Sequence, residues 1–150
     1  MVKLFDNINE EVYRSYIFWS TILVVKMLVM SVLTGLQRFR KKAFVNPEDI
    51  ATMPKLKLKF DDPDVERVRR AHLNDLENIL PFFLICFLYL LTGPNVTLAK
   101  NLIRAAAFGR ILHSLVYAVI VIPQPARLLS FLLTLIITLY MLLQCVVYYF

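Results

Sequence analysis

The chain has 150 residues, 59% of them apolar, and its mean hydropathy is +0.63. A soluble domain is typically about 45–50% apolar, so this composition excludes a soluble globular protein and predicts an integral membrane protein. The formal net charge is +6, but the Lys and Arg residues flank apolar segments instead of forming a soluble basic domain. Membrane topology therefore explains the charge better than nucleic-acid binding does.

Four apolar stretches each approach the length of about 20 residues that a helix needs to cross a bilayer. They cover approximately residues 16–36, 73–91, 98–122 and 128–150. With their flanking start and stop signals, the predicted helices run over about 10–38, 63–91, 98–122 and 126–149. We therefore expect an all-α integral membrane protein in which residues 1–150 form one four-helix domain, with a loop over about 39–62.

The distribution of basic residues predicts the orientation of the spans. Lys and Arg are concentrated in the connection between the first two spans, and Arg127 lies in the third connection. By the positive-inside rule, both connections face the cytosol and both termini face the lumen. The N-terminal segment lacks the pattern of a cleaved signal peptide, so we expect the first span to remain as an anchor.

Lys26 lies near the middle of the first span, too deep to reach either membrane surface. An intramembrane cation is expected to turn inward toward an acid, and Asp75 and Glu77 are the candidate partners. The sequence favours a polar clamp between helices over a catalytic lysine, because such contacts commonly hold membrane bundles together.

The predicted cytosolic loop contains two helix-start signals. Residues 46–49 (NPED) offer a capping Asn, a proline and two acids, and Asp62 with Pro63 repeats the signal at the start of the second helix. Between them, residues 55–60 alternate Lys with apolar side chains, which is typical of an extended segment on an anionic membrane surface. Pro81 is expected to kink the second helix at the carbonyl of Glu77.

The two cysteines and one sequon have modest expected roles. Cys86 and Cys145 fall inside apolar spans without metal-type spacing, so we expect reduced packing residues and no metal site. Asn95 begins a glycosylation sequon on the predicted lumenal side, but its closeness to the membrane predicts little occupancy.

Polar side chains from all four helices are predicted to share one level in the cytosolic half of the membrane. They are Arg38, Asn74, Glu77, His113, Tyr117 and Arg127. Guanidinium, carboxylate, amide, imidazole and phenol groups together suit a zwitterionic, multiply anionic small molecule. One alternative is a self-paired network of Glu77, Arg110 and His113. Proton or ion transport is disfavoured, because the spans contain too few acidic residues to form a continuous relay across the membrane.

Four sequence blocks carry a family resemblance: RFRKKAFVNPED at 38–49, VERVRRAHLNDLENILPFF at 65–83, GRILHSLVY at 109–117 and PQPARLLSF at 123–131. In this order they resemble the membrane-associated proteins in eicosanoid and glutathione metabolism (MAPEG), most closely the type-one microsomal glutathione transferase branch. The resemblance implies a homotrimer of four-helix subunits in the endoplasmic reticulum membrane, with the mitochondrial outer membrane as a further candidate. It also implies that glutathione, the co-substrate, binds between subunits on the cytosolic side.

The resemblance further implies conjugation of glutathione to hydrophobic electrophiles and glutathione-dependent reduction of lipid hydroperoxides. Arg127 corresponds to the catalytic arginine that steadies the glutathione thiolate. The glutathione-binding positions implied in the same way are Arg38, Arg70, Asn74, Glu77, Arg110, His113 and Tyr117.

Several residues of this chain differ from those at the matching positions of related proteins. Leu73, Leu128 and Phe131 replace the Arg, Ser and Tyr of prostaglandin E synthases, which points away from that alternative function. Ile50 replaces a reactive Cys of the type-one branch, so activation by thiol reagents is not expected. The connection from Tyr117 to Arg127 is one residue longer than in the relatives. A non-catalytic lipid-binding or scaffold protein of the same fold is the other alternative.

Overall fold

The computed structural model describes residues 5–53 and 55–150, which include the whole of the first span, the expected anchor. Four long helices follow one another: α1 (Glu10–Lys41), α2 (Pro63–Leu91), α3 (Val96–Ser114) and α4 (Ala126–Tyr149). A 3₁₀ turn (Pro47–Ile50) lies in the first connection, and a π-helical turn (Leu115–Val119) continues α3. All four helices are long and apolar enough to cross a membrane, which confirms the prediction of an all-α, multi-pass membrane protein.

Side-chain caps explain where the first two helices begin. The Asn9 side chain accepts hydrogen bonds from the backbone N–H groups of Glu11 and Val12 at 2.9 and 3.3 Å. Asp62 does the same for α2, where Oδ1 accepts from Asp64 and Val65 at 3.1 and 3.2 Å. Both acceptors satisfy N–H groups that have no partner within the helix.

Lys59 stabilises the ionised form of the Asp62 cap. Its Nζ donates to Asp62 Oδ2 at 2.7 Å, and this hydrogen bond lowers the pKa of the carboxyl group below its ordinary value. Because the folded-state pKa is lowered, this stabilisation is present above the unfolded-state pKa and is lost as the pH falls through the folded-state pKa.

The two middle helices form the centre of the bundle, because α2 and α3 each pack against both α1 and α4. The buried core includes Ile79, Phe82 and Ile103. Gly109 allows α3 to approach α4 closely: a Cβ at this position would lie 2.8 Å from Thr134 Oγ1. That hydroxyl donates to the Ala106 carbonyl at 3.1 Å, so a small residue is needed here.

Some local features differ from expectation. The first helix continues to Lys41, past the expected end near residue 38, and the third changes from α- to π-helical geometry at Leu115. Asn46 does not cap the 3₁₀ turn through its side chain; its Nδ2 instead donates to Asp49 Oδ2 at 3.2 Å. The α2 helix does not end at Pro81, and the kink expected there stays a prediction.

Candidate functional site

A cavity of about 290 Å³ lies where α2, α3 and α4 meet, at the end of the bundle predicted to face the cytosol. Its walls combine polar and apolar side chains. The lining residues are Asn74, His113, Tyr117, Gln124, Arg127, Leu128 and Phe131. Four of the residues singled out from the sequence, namely Asn74, His113, Tyr117 and Arg127, are thus brought together in a single chain.

Arg127 is held against an aromatic face instead of an acid. Its Cζ lies 4.7 Å from the centre of the Tyr117 ring, a cation–π contact. Among residues 5–53 and 55–150, no carboxylate lies within ion-pair distance of this guanidinium. An unpaired guanidinium at the wall of a cavity is well suited to an anionic ligand, because its N–H groups can only donate.

His113 completes an aromatic corner of the cavity. Its ring is nearly perpendicular to that of Tyr117, with 5.5 Å between the ring centroids, and lies 6.5 Å from the ring of Phe131. The imidazole is buried, and its Nδ1 has no hydrogen-bond partner in the part of the chain that the structure describes. A buried nitrogen without a partner is costly, so a ligand or a water that hydrogen-bonds to it would be favourable.

The π-helical turn shapes this corner. The Ile120 N–H donates to the Leu115 carbonyl, five residues earlier, at 2.8 Å. A π-turn accommodates one residue more than an α-turn and occurs frequently at functional sites. The sequence analysis missed it, because hydrophobic spacing does not reveal such a turn. Although the connection from Tyr117 to Arg127 is one residue longer than in the relatives, Arg127 still contacts the Tyr117 ring.

Behind the cavity lies a buried charge cluster formed by Lys26, Asp75 and Arg110. Lys26 forms an ion pair with Asp75, and Arg110 Nη2 donates to Asp75 Oδ1 at 2.5 Å. Ser114 Oγ donates to Asp75 Oδ2 at 3.1 Å. The side chains of Asp75 and Arg110 have no exposed surface. Two cations and one carboxylate are therefore enclosed between α1, α2 and α3.

This cluster decides between two sets of alternatives that the sequence left open. The alternative in which Glu77, Arg110 and His113 neutralise one another is wrong, because Arg110 pairs with Asp75 and Glu77 is exposed. Of the two candidate partners for Lys26, the structure selects Asp75. The sequence analysis named Asp75 as a candidate partner of Lys26 but did not include it in the predicted ligand set.

Arg110, predicted at a glutathione-binding position, is not among the residues that line the cavity. Its guanidinium is turned into the bundle, where Nη2 also donates to Asn74 Oδ1 at 2.9 Å. Arg110 therefore contacts a cavity residue without lining the cavity itself.

Three other predicted residues lie away from the cavity. Arg70 and Glu77 are exposed on the outer face of α2. Arg38 lies at the end of α1, where it donates to the Ala43 carbonyl at 3.3 Å and lines a separate cavity with Phe44 and Asp49. In a single chain, the predicted ligand set is therefore divided between an inner group and an outer group.

The donor set of the cavity suits an organic anion. Within the described ranges, 5–53 and 55–150, no group of three or more His, Cys, Asp or Glu side chains is arranged to hold a metal ion. The cavity instead offers a guanidinium, an imidazole, a phenol and two amides beside the apolar Leu128 and Phe131. Such a mixture can orient a polar ligand next to an apolar reactant.

Comparison with known proteins places these features in a family. The sequence profile of the MAPEG family matches residues 16–147. This range includes most of each of the four helices and all the residues that line the cavity. The chain belongs to the MAPEG family. The resemblance noted from the sequence blocks is thereby confirmed, and the profile covers the buried cluster as well.

Individual relatives of this MAPEG protein carry two different names. Human microsomal glutathione S-transferase 1 is 43% identical over 135 residues, which cover 87% of this chain and 86% of the relative. The pig protein of the same name is 42% identical over 137 residues, covering 89% and 88%. Rat prostaglandin E synthase is 43% identical over 109 residues, covering 73% and 71%. The percentage of identical residues is nearly the same for the transferases and the synthase, so it does not favour either. The match to the transferases, however, extends over more of the chain.

Proposed function

We propose that this MAPEG protein is a glutathione transferase that conjugates glutathione to hydrophobic electrophiles and reduces lipid hydroperoxides. The observation that carries the proposal is the Arg127 guanidinium, which has no acidic partner among the described residues and lies over the Tyr117 ring at the wall of a cavity that also presents Asn74 and His113. The names of the transferase relatives, which match most of the chain, support the same activity.

The chemistry of glutathione fits these side chains. Its carboxylates and peptide carbonyls accept hydrogen bonds, and its thiol becomes reactive only when ionised. A free thiol has a pKa of about 8.5, so a nearby positive charge is needed to raise the thiolate fraction at neutral pH. Arg127 supplies that charge, and its effect is stronger in a partly dehydrated cavity than in water.

Both proposed reactions begin with the thiolate of glutathione. In conjugation, its sulfur forms a bond to the electrophilic carbon, and the leaving group departs with its bonding electron pair. In peroxide reduction, the sulfur attacks the terminal oxygen of the hydroperoxide, and the lipid leaves as an alkoxide that takes up a proton. The resulting sulfenic form reacts with a second glutathione to give glutathione disulfide and water.

The bilayer is proposed as the source of the second substrate. The outer faces of α1 and α4 expose large apolar side chains such as Leu28, Val32 and Ile136, which suits contact with lipid. Apolar electrophiles concentrate in that environment, whereas glutathione arrives from water. We place the protein in the endoplasmic reticulum membrane, or alternatively in the mitochondrial outer membrane, with the cavity facing the cytosol because the adjoining connections are basic.

Assay of the purified protein with glutathione and a chlorinated nitroaromatic tests the proposed function. We expect protein-dependent formation of the glutathione conjugate, because the aromatic carbon that bears chlorine accepts the thiolate. A reaction without protein gives the background rate. A purified, folded protein that adds nothing to this background would overturn the transferase assignment and favour a lipid-binding or scaffold role.

Prostaglandin E synthase activity is the second candidate, since a rat protein of that name is 43% identical to this chain over 109 residues. Two cavity residues, Leu128 and Phe131, together with the exposed Leu73, depart from the pattern noted for those enzymes. We therefore expect little isomerisation of a prostaglandin endoperoxide in the presence of glutathione, measured beside the conjugation reaction.

A homotrimer is the proposed assembly. The cavity of about 290 Å³ in one chain is just below the range of about 300–1,000 Å³ for small-molecule sites. Glu77 is exposed on α2 at a depth where a charge facing lipid is costly. A neighbouring copy can cover Glu77 and bring the remaining predicted ligands, Arg70 and Arg38, to a shared site.

We expect native mass spectrometry in detergent to give a trimer as the main species, because assembly removes charged groups from lipid. Comparison of activity across the separated species provides the control. A dominant monomer that retains full activity would contradict a site shared between copies.

Thiol-alkylating reagents are expected to leave the conjugation rate unchanged. Ile50 offers no thiol in the cytosolic loop, Cys86 is buried in the core, and Cys145 lies half-buried within α4. The rate would be measured before and after maleimide treatment and removal of the excess reagent. A severalfold rise that disappears in Cys86→Ala or Cys145→Ala would show that a membrane-embedded thiol is accessible.

A further inference from the structure

The contact between Arg110 and Asn74 determines which end of the Asn74 amide faces the cavity. A guanidinium has only hydrogen-bond donors, so the amide atom that it contacts at 2.9 Å must be the oxygen. The Asn74 side chain also lines the cavity. Because Oδ1 already accepts from Arg110, the end of the amide better placed to serve a ligand is Nδ2, which carries two N–H donors.

Arg110 itself is firmly held. Its side chain has no exposed surface, and the Nη2 that contacts Asn74 also donates to Asp75 Oδ1 at 2.5 Å. Asp75 is anchored in turn by Lys26 and by Ser114 Oγ. The guanidinium therefore cannot turn toward the cavity without breaking buried charged contacts, which are costly to leave unmade.

We propose that Arg110 is a positioning residue that fixes the Asn74 amide with Nδ2 toward the cavity, so that Asn74 donates to a carboxylate or carbonyl oxygen of glutathione. This inference rests on the proposed function. It replaces the direct contact between Arg110 and glutathione that the family resemblance implied. Arg110 acts on the ligand only through Asn74, and Lys26, Asp75 and Ser114 hold Arg110 in place.

A double-mutant cycle distinguishes positioning from direct contact. Arg110→Met removes the guanidinium and leaves Lys26 and Asp75 as a balanced pair, while Asn74→Ala removes the amide. We expect each single variant to raise the glutathione KM about tenfold with a much smaller change in kcat. The double variant should resemble the single variants, because Arg110 has no effect once its target is absent.

Asn74→Asp tests the same inference in a variant whose buried charges remain paired. The carboxylate still accepts from Arg110 and adds a second acid beside two cations, but it offers the cavity an acceptor instead of a donor. We expect a rise in glutathione KM at least as large as in Asn74→Ala, with little change in the thermal unfolding temperature.

The possible outcomes separate the inference from the proposed function. Effects that multiply in the double variant would overturn positioning and support direct contact of Arg110 with glutathione. A wild-type glutathione KM in Asn74→Asp would also overturn the inference, even if Arg110→Met does not fold. In both cases the wild-type protein still uses glutathione, whereas a wild type that neither binds nor uses it would overturn the proposed function and this inference together.

Discussion

Arg127→Ala is expected to reduce conjugation by about 10²–10³-fold, the usual cost of removing one preorganised group that stabilises a reacting anion. Arg127 lies at the cavity wall with no acidic partner among residues 5–53 and 55–150, so its charge is available to the thiolate. Glutathione should still bind within several-fold of the wild-type affinity, since the lost charge acts on sulfur more than on the carboxylates.

Ultraviolet absorbance of the bound thiolate measures this effect directly. We expect the thiolate signal seen on mixing wild-type protein with glutathione to be largely absent in Arg127→Ala. Arg104→Ala is the matched control, because Arg104 is an exposed arginine on α3 that does not line the cavity. An unchanged thiolate signal and rate in Arg127→Ala would assign thiolate stabilisation to another group.

Asp75→Asn is expected to destabilise the protein by about 3–5 kcal/mol, the usual cost of breaking a buried ion pair by removing one partner. The substitution preserves shape but leaves Lys26 and Arg110 enclosed without a carboxylate. Thermal unfolding in detergent measures the loss. Asp61→Asn removes the same charge from an exposed position in the loop and should have little effect.

Apolar replacement of the whole cluster provides a second test of this explanation. The triple variant Lys26→Met, Asp75→Leu and Arg110→Met removes all three buried charges together, so it should recover much of the stability lost in Asp75→Asn. Equal stability of Asp75→Asn and wild type would show that the two cations do not depend on this carboxylate.

The helices and their starting points could be predicted because local signals determine them. Asp62 and Pro63 start α2 through capping and a favourable proline position, and neither depends on distant contacts. The inward turn of Lys26 was also predictable, since lipid provides no partner for a buried cation. The position of each residue along its span then predicted that Asn74, His113 and Tyr117 lie at one level in the membrane.

The direction in which the polar side chains of α2 point was harder to predict. Asp75 and Glu77 are two residues apart and lie on nearly opposite faces of a helix, so packing alone decides which one is buried. The inward rotation of Arg110 follows from that choice. The π-turn after Ser114 was also not predicted, because hydrophobic spacing does not encode it.

Equilibrium dialysis with labelled glutathione tests most directly whether the cavity formed by α2, α3 and α4 is the glutathione site. His113→Leu alters this cavity, whereas Gln144→Leu alters a second cavity lined by Tyr89, Tyr140 and Tyr148. We expect saturable binding to the wild type, about a tenfold or greater loss of affinity in His113→Leu, and wild-type affinity in Gln144→Leu. Wild-type affinity in His113→Leu together with lost binding in Gln144→Leu would contradict the account.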